Sequence, residues 1–441
     1  MRLAVFEQNH DAESDYPERV QSRLRTATAT SAARRKVYAV LNVACLAVAM
    51  LLTVIRGAIG GHGFNFAHGD SRWYYVQLVS PVVDGDLDFS NQMRMHWGTE
   101  FEPHRLENKT PRGYVNPRYT LGFASSLAPS FLAAHAVATA VHALTPVWFF
   151  EPNGYTPLYQ ILNAAMVFLY VWGMMVLLDW IAQRYLRADP LAIASGIILI
   201  VLGSQFSYHY VRVPFAIHVV SLFWVTAVVA LSMWMGELAE RRVLRLLDVF
   251  ALAFVASMAI ECRPTNVVIL PFLIYVAVKL LRNGMWRRMA ALVPIAVAGC
   301  LPILLQMWFW HRLFGSWITF AYDPGERFYW SEPRLWQTLF SSRKGLYFWS
   351  PILVLATIGC VARMLKGGWR SPLLICSSLS FLLLWYLNSA WYEWWFGGSF
   401  GARAFLEGMV ILFFGMIFFV EIILRSRRPA FGVLAGLTIL T

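Results

Sequence analysis

The chain has 441 residues, of which 58% are hydrophobic and only 14% charged, with a mean hydropathy of +0.53. That is too little charge to clothe a soluble globule of this size, which excludes a water-soluble domain and implies a polytopic membrane protein. A formal net charge of +12 would suggest nucleic acid in a soluble chain, but here Lys and Arg bunch at the ends of apolar runs, the pattern that encodes topology in a bilayer.

Residues 1–36 are polar and basic, with Arg19, Arg23, Arg25, Arg34, Arg35 and Lys36 ahead of the first apolar run. Composition predicts a disordered tail, and the excess of positive charge puts it on the cytoplasmic side. Residues 37–60 are enough to cross a hydrocarbon core of about 30 Å at about 1.5 Å per residue. No small-residue cleavage pattern accompanies them, so they read as a retained helix that ends outside.

The longest polar stretch follows, residues 61–119, with many of the chain's acids and with Arg72, Arg94, Arg105, Arg112 and Arg118. A loop of this length is as a rule functional or disordered, and its aromatic content argues against disorder. Residues 119–145 are apolar but interrupted by Ser125, Ser126, Pro129, His135 and His142. The run 157–181 ends in Arg184 and Arg187, which belong inside, so it must travel inward. That leaves residues 119–145 on the outer side, as one or two helices lying at the interface, and makes 61–156 one outer loop, the expected active-site loop.

The signs then alternate. Apolar runs at 191–206, 215–235, 248–261, 267–281, 290–310, 351–363, 373–387 and 405–424 cross in turn, with basic residues such as Arg241, Arg282, Arg370 and Arg425 at the inner ends. Residues 431–441 begin a span that is too short, as if the chain were cut off there. The expected fold is an all-α membrane bundle of about ten or eleven spans, without a separate soluble domain or internal repeat. Its five cysteines, Cys45, Cys262, Cys300, Cys360 and Cys376, fall inside or beside apolar runs, so neither a disulfide framework nor a thiolate metal site is expected.

Every long polar connection then falls on the outer side, where any chemistry is expected. The stretch Gly69-Asp70-Ser71-Arg72-Trp73-Tyr74-Tyr75 sets a carboxylate among aromatic rings directly after the first span. Asp70 reads as a general base or as the N-cap of a helix predicted over 71–83, and the two are compatible. Asp84, Asp86 and Asp88 could hold a divalent cation or form a solvated turn around Gly85. His209, Arg212 and His218 lie at an outer turn leading into a span; histidines there are either hydrogen-bonded core residues or substrate contacts, and no HExxH spacing points to zinc.

Arg263, Arg343, Lys344 and Arg403 are the cationic candidates. A guanidinium grips phosphate with two prongs, and the glycines at 397, 398 and 401 let backbone amides approach the same oxyanion. The alternative is snorkelling at the interface, the favoured reading for Lys344. Trp391 and Glu393, in Trp391-Tyr392-Glu393-Trp394-Trp395, belong to an interfacial aromatic belt or a sugar-stacking wall. No P-loop or Rossmann glycine pattern occurs, so nucleotide use is unsupported.

These motifs in this order resemble the C-type (GT-C) glycosyltransferase superfamily, near the bacterial members related to protein mannosyltransferases and lipid A aminoarabinose transferases. The carriers are Gly69 to Tyr75, Asp84-Gly85-Asp86-Leu87-Asp88, Asn116-Pro117-Arg118-Tyr119, Cys262-Arg263-Pro264-Thr265, Ser341-Ser342-Arg343-Lys344-Gly345-Leu346, and Gly398-Ser399-Phe400-Gly401-Ala402-Arg403. The resemblance implies membrane-parallel helices in the first outer loop and a location in the bacterial cell membrane. It also implies a polyprenyl-phosphate-linked sugar as donor and a lipid, glycan or protein as acceptor. Asp70 would be the catalytic base and Arg263 would hold the donor phosphate, with Arg403, Arg343 and Lys344 as further phosphate contacts. Arg72, Tyr74, Tyr75, Arg118, His209, Arg212, His218, Trp391 and Glu393 would be secondary or substrate contacts. No cofactor is called for beyond, at most, a divalent cation at Asp86 and Asp88. Many members carry a second acid at the outer end of the span after the third, where this chain has Arg212 and His218, which puts metal use and half of the carboxylate set in question. A transporter or flippase would show paired halves, which are missing here. A ligase of whole lipid-linked glycans would present similar outer arginines, and a purely structural protein has little use for a buried Arg263.

Overall fold

Within a bilayer each backbone amide must bond inside its own segment, so the apolar runs of this chain become helices. The computed structural model describes residues 16–60, 66–67, 69–97, 106–323 and 325–426. In order the helices are α1 (Tyr16–Gly60), α2 (Ser71–Val79), α3 (Ser90–Trp97), α4 (Gly122–Leu144), α5 (Pro157–Ile181), α6 (Pro190–Gly203), α7 (Ile217–Glu240) and α8 (Leu246–Cys262). There follow α9 (Leu270–Arg282), α10 (Trp286–Gly299), α11 (Leu301–Phe314), α12 (Leu335–Phe340), α13 (Leu346–Trp349), α14 (Ile352–Leu365), α15 (Pro372–Ala390) and α16 (Val410–Arg425). Two isolated β-bridges, Lys109 with Val115 and Phe328 with Trp391, are the extended pairings among the described residues.

Six of these helices are long and apolar enough to cross a membrane, or seven if α10 and α11, bent by 59° at Cys300, count as one span. The protein is therefore an all-helical integral membrane protein. The runs at 191–206 and 351–363 are helical but short: 14 residues each in α6 and α14, or roughly 21 Å. Hydropathy marks the apolar run, while Ser204 and Pro351 end or begin the helix inside it.

Two expectations change. Helical backbone starts at Tyr16, so the predicted disordered tail is helical from there on, while residues 1–15 lie outside the described residues, as does the short final span at 431–441. The base of that helix is anchored: Arg34 is buried and its Nε lies 2.6 Å from Oδ1 of the equally buried Asp179, which also accepts from the Tyr38 hydroxyl at 3.2 Å. Within residues 119–145 the chain forms one continuous helix, α4 (Gly122–Leu144), running through Pro129 and long enough to count among the six. Its polar partners on α5 run backwards: the Ser126 carbonyl accepts from Tyr170, Ser130 donates to Asn163, and His135 meets the Tyr159 hydroxyl, while the Ser126 hydroxyl accepts from Trp224 of α7 at 2.9 Å.

Helix α7 is the centre. In its most apolar stretch 78% of residues are buried, against 22% in α1 and α4, whose exposed faces carry Val40, Val43, Leu51 and Leu132. Such faces suit lipid. The bundle has two polar ends. One holds Asp70 and the loops; the other holds Arg34–Asp179, Arg184–Glu237 and Lys279–Glu240.

The Arg34–Asp179 pair sets a test of the anchor. Asp179→Ala strands a buried guanidinium and should cost on the order of 3–5 kcal/mol, read as a lower thermal-inactivation temperature of the solubilised protein. The double variant Arg34→Leu/Asp179→Leu should recover most of it, and a variant Asp179→Ala as stable as the parent would contradict the anchor.

Candidate functional site

Asp70 stands where it could cap α2, yet its side chain accepts nothing from the helix amides. Its Oδ2 lies instead 2.9 Å from Nη2 of Arg403. Gly69, at φ +55°, supplies the left-handed backbone that swings the chain into this position. Arg403 opens a 3₁₀ turn, Arg403–Gly408, just ahead of α16. Gly401 before it also has positive φ, and a Cβ there would meet Gln205 Oε1 at 2.5 Å. Glycine thus lets the segment close on Gln205, whose Nε2 donates to the Ala402 carbonyl at 2.8 Å and holds the backbone next to Arg403.

The Asp70 side chain keeps 42% of its surface accessible. Burial pushes its carboxyl up, but the charges of Arg403 and then Arg118, with hydrogen bonds from Arg403 and Tyr119, outweigh it and hold the carboxyl below the usual carboxylate range. Burial and the Asp70 charge push the Tyr119 phenol up, so it stays a donor. Tyr74 stacks on Tyr119 with ring centroids 4.5 Å apart.

Arg118, itself at positive φ, pairs with Glu326 and, at 3.3 Å, with Asp323. Both acids lie on the connection between α11 and α12, so Arg118 fastens that connection over the first loop. Tyr392 donates to Glu326 at 2.9 Å, and Trp391 packs edge-on against Phe328 and Tyr322.

A second cluster lies at the same end. Glu407 Oε1 is 2.9 Å from His218 Nδ1 and 3.6 Å from Arg263 Nε, and an Arg263 Nη1 stands 2.8 Å from that histidine nitrogen. Glu407 is 2% exposed, and its Oε2 has no hydrogen-bond partner among the described residues. His209 is neighbour to His218, with ring centroids 6.1 Å apart. Burial first, then His218, pushes His209 down to about 3, so it is neutral at physiological pH and its Nε2 donates to the Phe400 carbonyl at 3.0 Å.

Several expected site residues do other things. The Tyr75 hydroxyl donates to the Gly154 carbonyl at 2.6 Å, and its ring packs among Phe131, Tyr155 and Phe215, so it is part of the core. Arg343 is exposed with its guanidinium 3.7 Å above the Trp395 ring, and Lys344 sits 5.5 Å from the Trp349 ring centre. Arg212 is exposed at the end of the turn Tyr208–Arg212, and Arg72 is half-buried on α2. Glu393 is placed better: a Cβ on Gly397 would lie 3.8 Å from its Oε1 and 4.0 Å from Arg403 Nη2, so the two side chains flank that glycine.

The acidic turn is a turn. Asp86 accepts from Ser80 and the Asp88 amide, Asp88 accepts from Ser90, and Asp84 accepts from Asn91 and Gln92. The nearest donors are local, so these carboxylates serve the entry to α3. Among the described residues no three His, Cys, Asp or Glu side chains converge on a common point for a metal ion.

Sequence reading passed over Glu407, Glu326, Asp323 and Tyr119 as site residues. For Glu407 a signal existed: an acid inside an apolar run, four residues after Arg403, meets the same criterion that singled out Arg263. Comparison with protein-family models, with curated proteins and with solved structures finds no match to this chain.

The two clusters should differ in what they do for stability. Glu407→Gln, deep in the bundle, should cost about 3 kcal/mol or more, whereas Asp70→Asn, which breaks a pair open to solvent, should change stability by less than about 1 kcal/mol. Thermal inactivation of the two variants side by side checks this, and an Asp70→Asn variant as unstable as Glu407→Gln would make Asp70 a structural residue.

Proposed function

We propose that this protein is a membrane glycosyltransferase that moves a sugar from a polyprenyl-phosphate donor to a hydroxyl of a lipid, glycan or protein acceptor. The observation that carries the reading is the contact of an accessible carboxylate, Asp70, with the Arg403 guanidinium. It stands at the same end of the bundle as Arg263, which the resemblance to the GT-C superfamily assigns to the donor phosphate. In this reading the fold is of the GT-C type with about ten or eleven spans, the short helices included, and α2 and α3 are the membrane-parallel helices of the first outer loop. In this reading α4 lies at the outer interface of the bilayer. The gathering of Arg184, Arg241, Arg282 and Arg425 at the end opposite Asp70 supports a cytoplasmic N-terminus and an active site facing outward across the cell membrane.

The chemistry follows from charge. The acceptor oxygen attacks the anomeric carbon from the face opposite the phosphate, the bond from that carbon to the phosphate oxygen breaks, and configuration inverts. The phosphate keeps the bonding pair, so negative charge grows on it as the bond breaks, and Arg403 and Arg263 are fixed cations to meet that charge. The acceptor proton goes to Asp70, a role worth about 10² to 10⁴ in rate. Arg403 holds Asp70 ionised in the resting site. A donor phosphate that draws the guanidinium toward itself leaves the carboxylate with one counter-charge fewer and makes it a better base.

Asp70→Asn should abolish transfer to acceptor while binding of a polyprenyl-phosphate sugar is unchanged, measured by product formation and by donor titration on the same preparation. Retained turnover removes Asp70 from the base role. The pH profile gives a second check. Arg403 lowers the Asp70 carboxyl, so Arg403→Ala removes that pull while burial, which raises it, stays. The acid limb of the pH–rate curve should therefore move to higher pH, and a limb that stays or moves lower contradicts the assignment.

A further inference from the structure

Helices α14 and α16 run side by side toward the end of the bundle remote from Asp70, and they touch more closely than side chains permit. A Cβ on Gly359 would lie 2.0 Å from the Gly415 carbonyl oxygen, and one on Gly415 would lie 2.1 Å from that of Ala356. Toward their C-terminal ends large residues replace the glycines, and a cavity of about 240 Å³ opens between the two helices. Gly359, Ala362, Phe418 and Ile422 form its apolar part, while Arg363 from α14, Lys366 directly after it and Arg425 from α16 bring three cations to it.

The carboxylate there, Glu421, is already engaged. It accepts from the Asp189 amide at 2.7 Å, and its other oxygen is 3.6 Å from Arg425. That bond to Asp189, just after α5, also places the cavity at the end that holds Arg34 and Asp179. Leu365, Trp369 and Leu424 are exposed in the same terminal turns and loop, so apolar surface lies beside the cations.

We propose that this cavity is a binding site for the phosphate headgroup of an anionic phospholipid in the leaflet at that end, with the acyl chains lying along the exposed leucines. Cations that only set topology need sit anywhere near a helix end. Here they converge from two helices on one recess with an apolar floor, the arrangement that holds a lipid phosphate at a membrane interface. Nothing in the glycosyl-transfer reading requires this site, and it stands or falls separately.

The test uses the full chain, solubilised in detergent and exposed to equal amounts of phosphatidylglycerol and phosphatidylcholine, with retained lipid counted by native mass spectrometry. The parent should keep phosphatidylglycerol preferentially. Lys366→Gln/Arg425→Gln, which alters two exposed side chains and leaves the core alone, should lower that retention by at least about fivefold. Arg363→Gln alone should lower it too, and Arg282→Gln, at the same end of α9, should leave it as in the parent. Equal retention of both lipids, or equal loss in the Arg282→Gln control, overturns the proposal. Displacement of phosphatidylglycerol by excess inorganic phosphate overturns it as well, since the cavity would then take the free ion.

Discussion

The carboxylate of Glu407 holds together what would otherwise be three separate helix ends. It comes from the 3₁₀ turn before α16, His218 from the first turn of the central helix α7, and Arg263 from the residue directly after α8. In a medium without water an unpaired charge is expelled, so the buried Glu407 carboxylate can remain where it is only with Arg263 and His218 beside it. The pairing therefore fixes the relative placement of α7, α8 and α16, and with them the floor on which the accessible residues of the site stand.

Above that floor the charges behave differently. Asp70 and Arg403 are paired but open to solvent, so their contact contributes little to holding the bundle and can be exchanged for another partner. Glycines make the contact geometrically available: Gly69 turns the chain into α2 and Gly401 lets the Arg403 segment close against Gln205. Arg118, Glu326 and Tyr392 add a lateral tie, fastening the connection between α11 and α12 to the first loop and to the Trp391 segment. Three loops far apart in sequence thus share one polar wall.

The opposite end is built on other contacts. There Arg34 and Asp179 seat α1 against α5, and the glycine contact between α14 and α16 brings two cationic helix ends around one cavity. A membrane protein with its buried ion pairs at both ends and an apolar middle is held in register at each interface, while the middle is held by packing around α7.

What the amino-acid sequence determined alone is everything that depends on composition along the chain. The apolar runs and their basic ends define a helical membrane protein, and the position of Asp70 after the first span marks a polar, aromatic loop. Arg263 was legible because an arginine inside an apolar run has no local way to be satisfied. What tertiary structure alone decided is which charges meet. Glu407 and His218 are separated by 189 residues, and Arg118 and Glu326 by 208. No local periodicity encodes pairings over such distances; they exist because helices that exclude water bring their polar ends to the same two levels. Tertiary structure also decided that Tyr75 is seated in the core, on the carbonyl of Gly154 79 residues away, while the aspartates at 84, 86 and 88, open to either a cation or a turn in sequence, accept from donors close by in the chain.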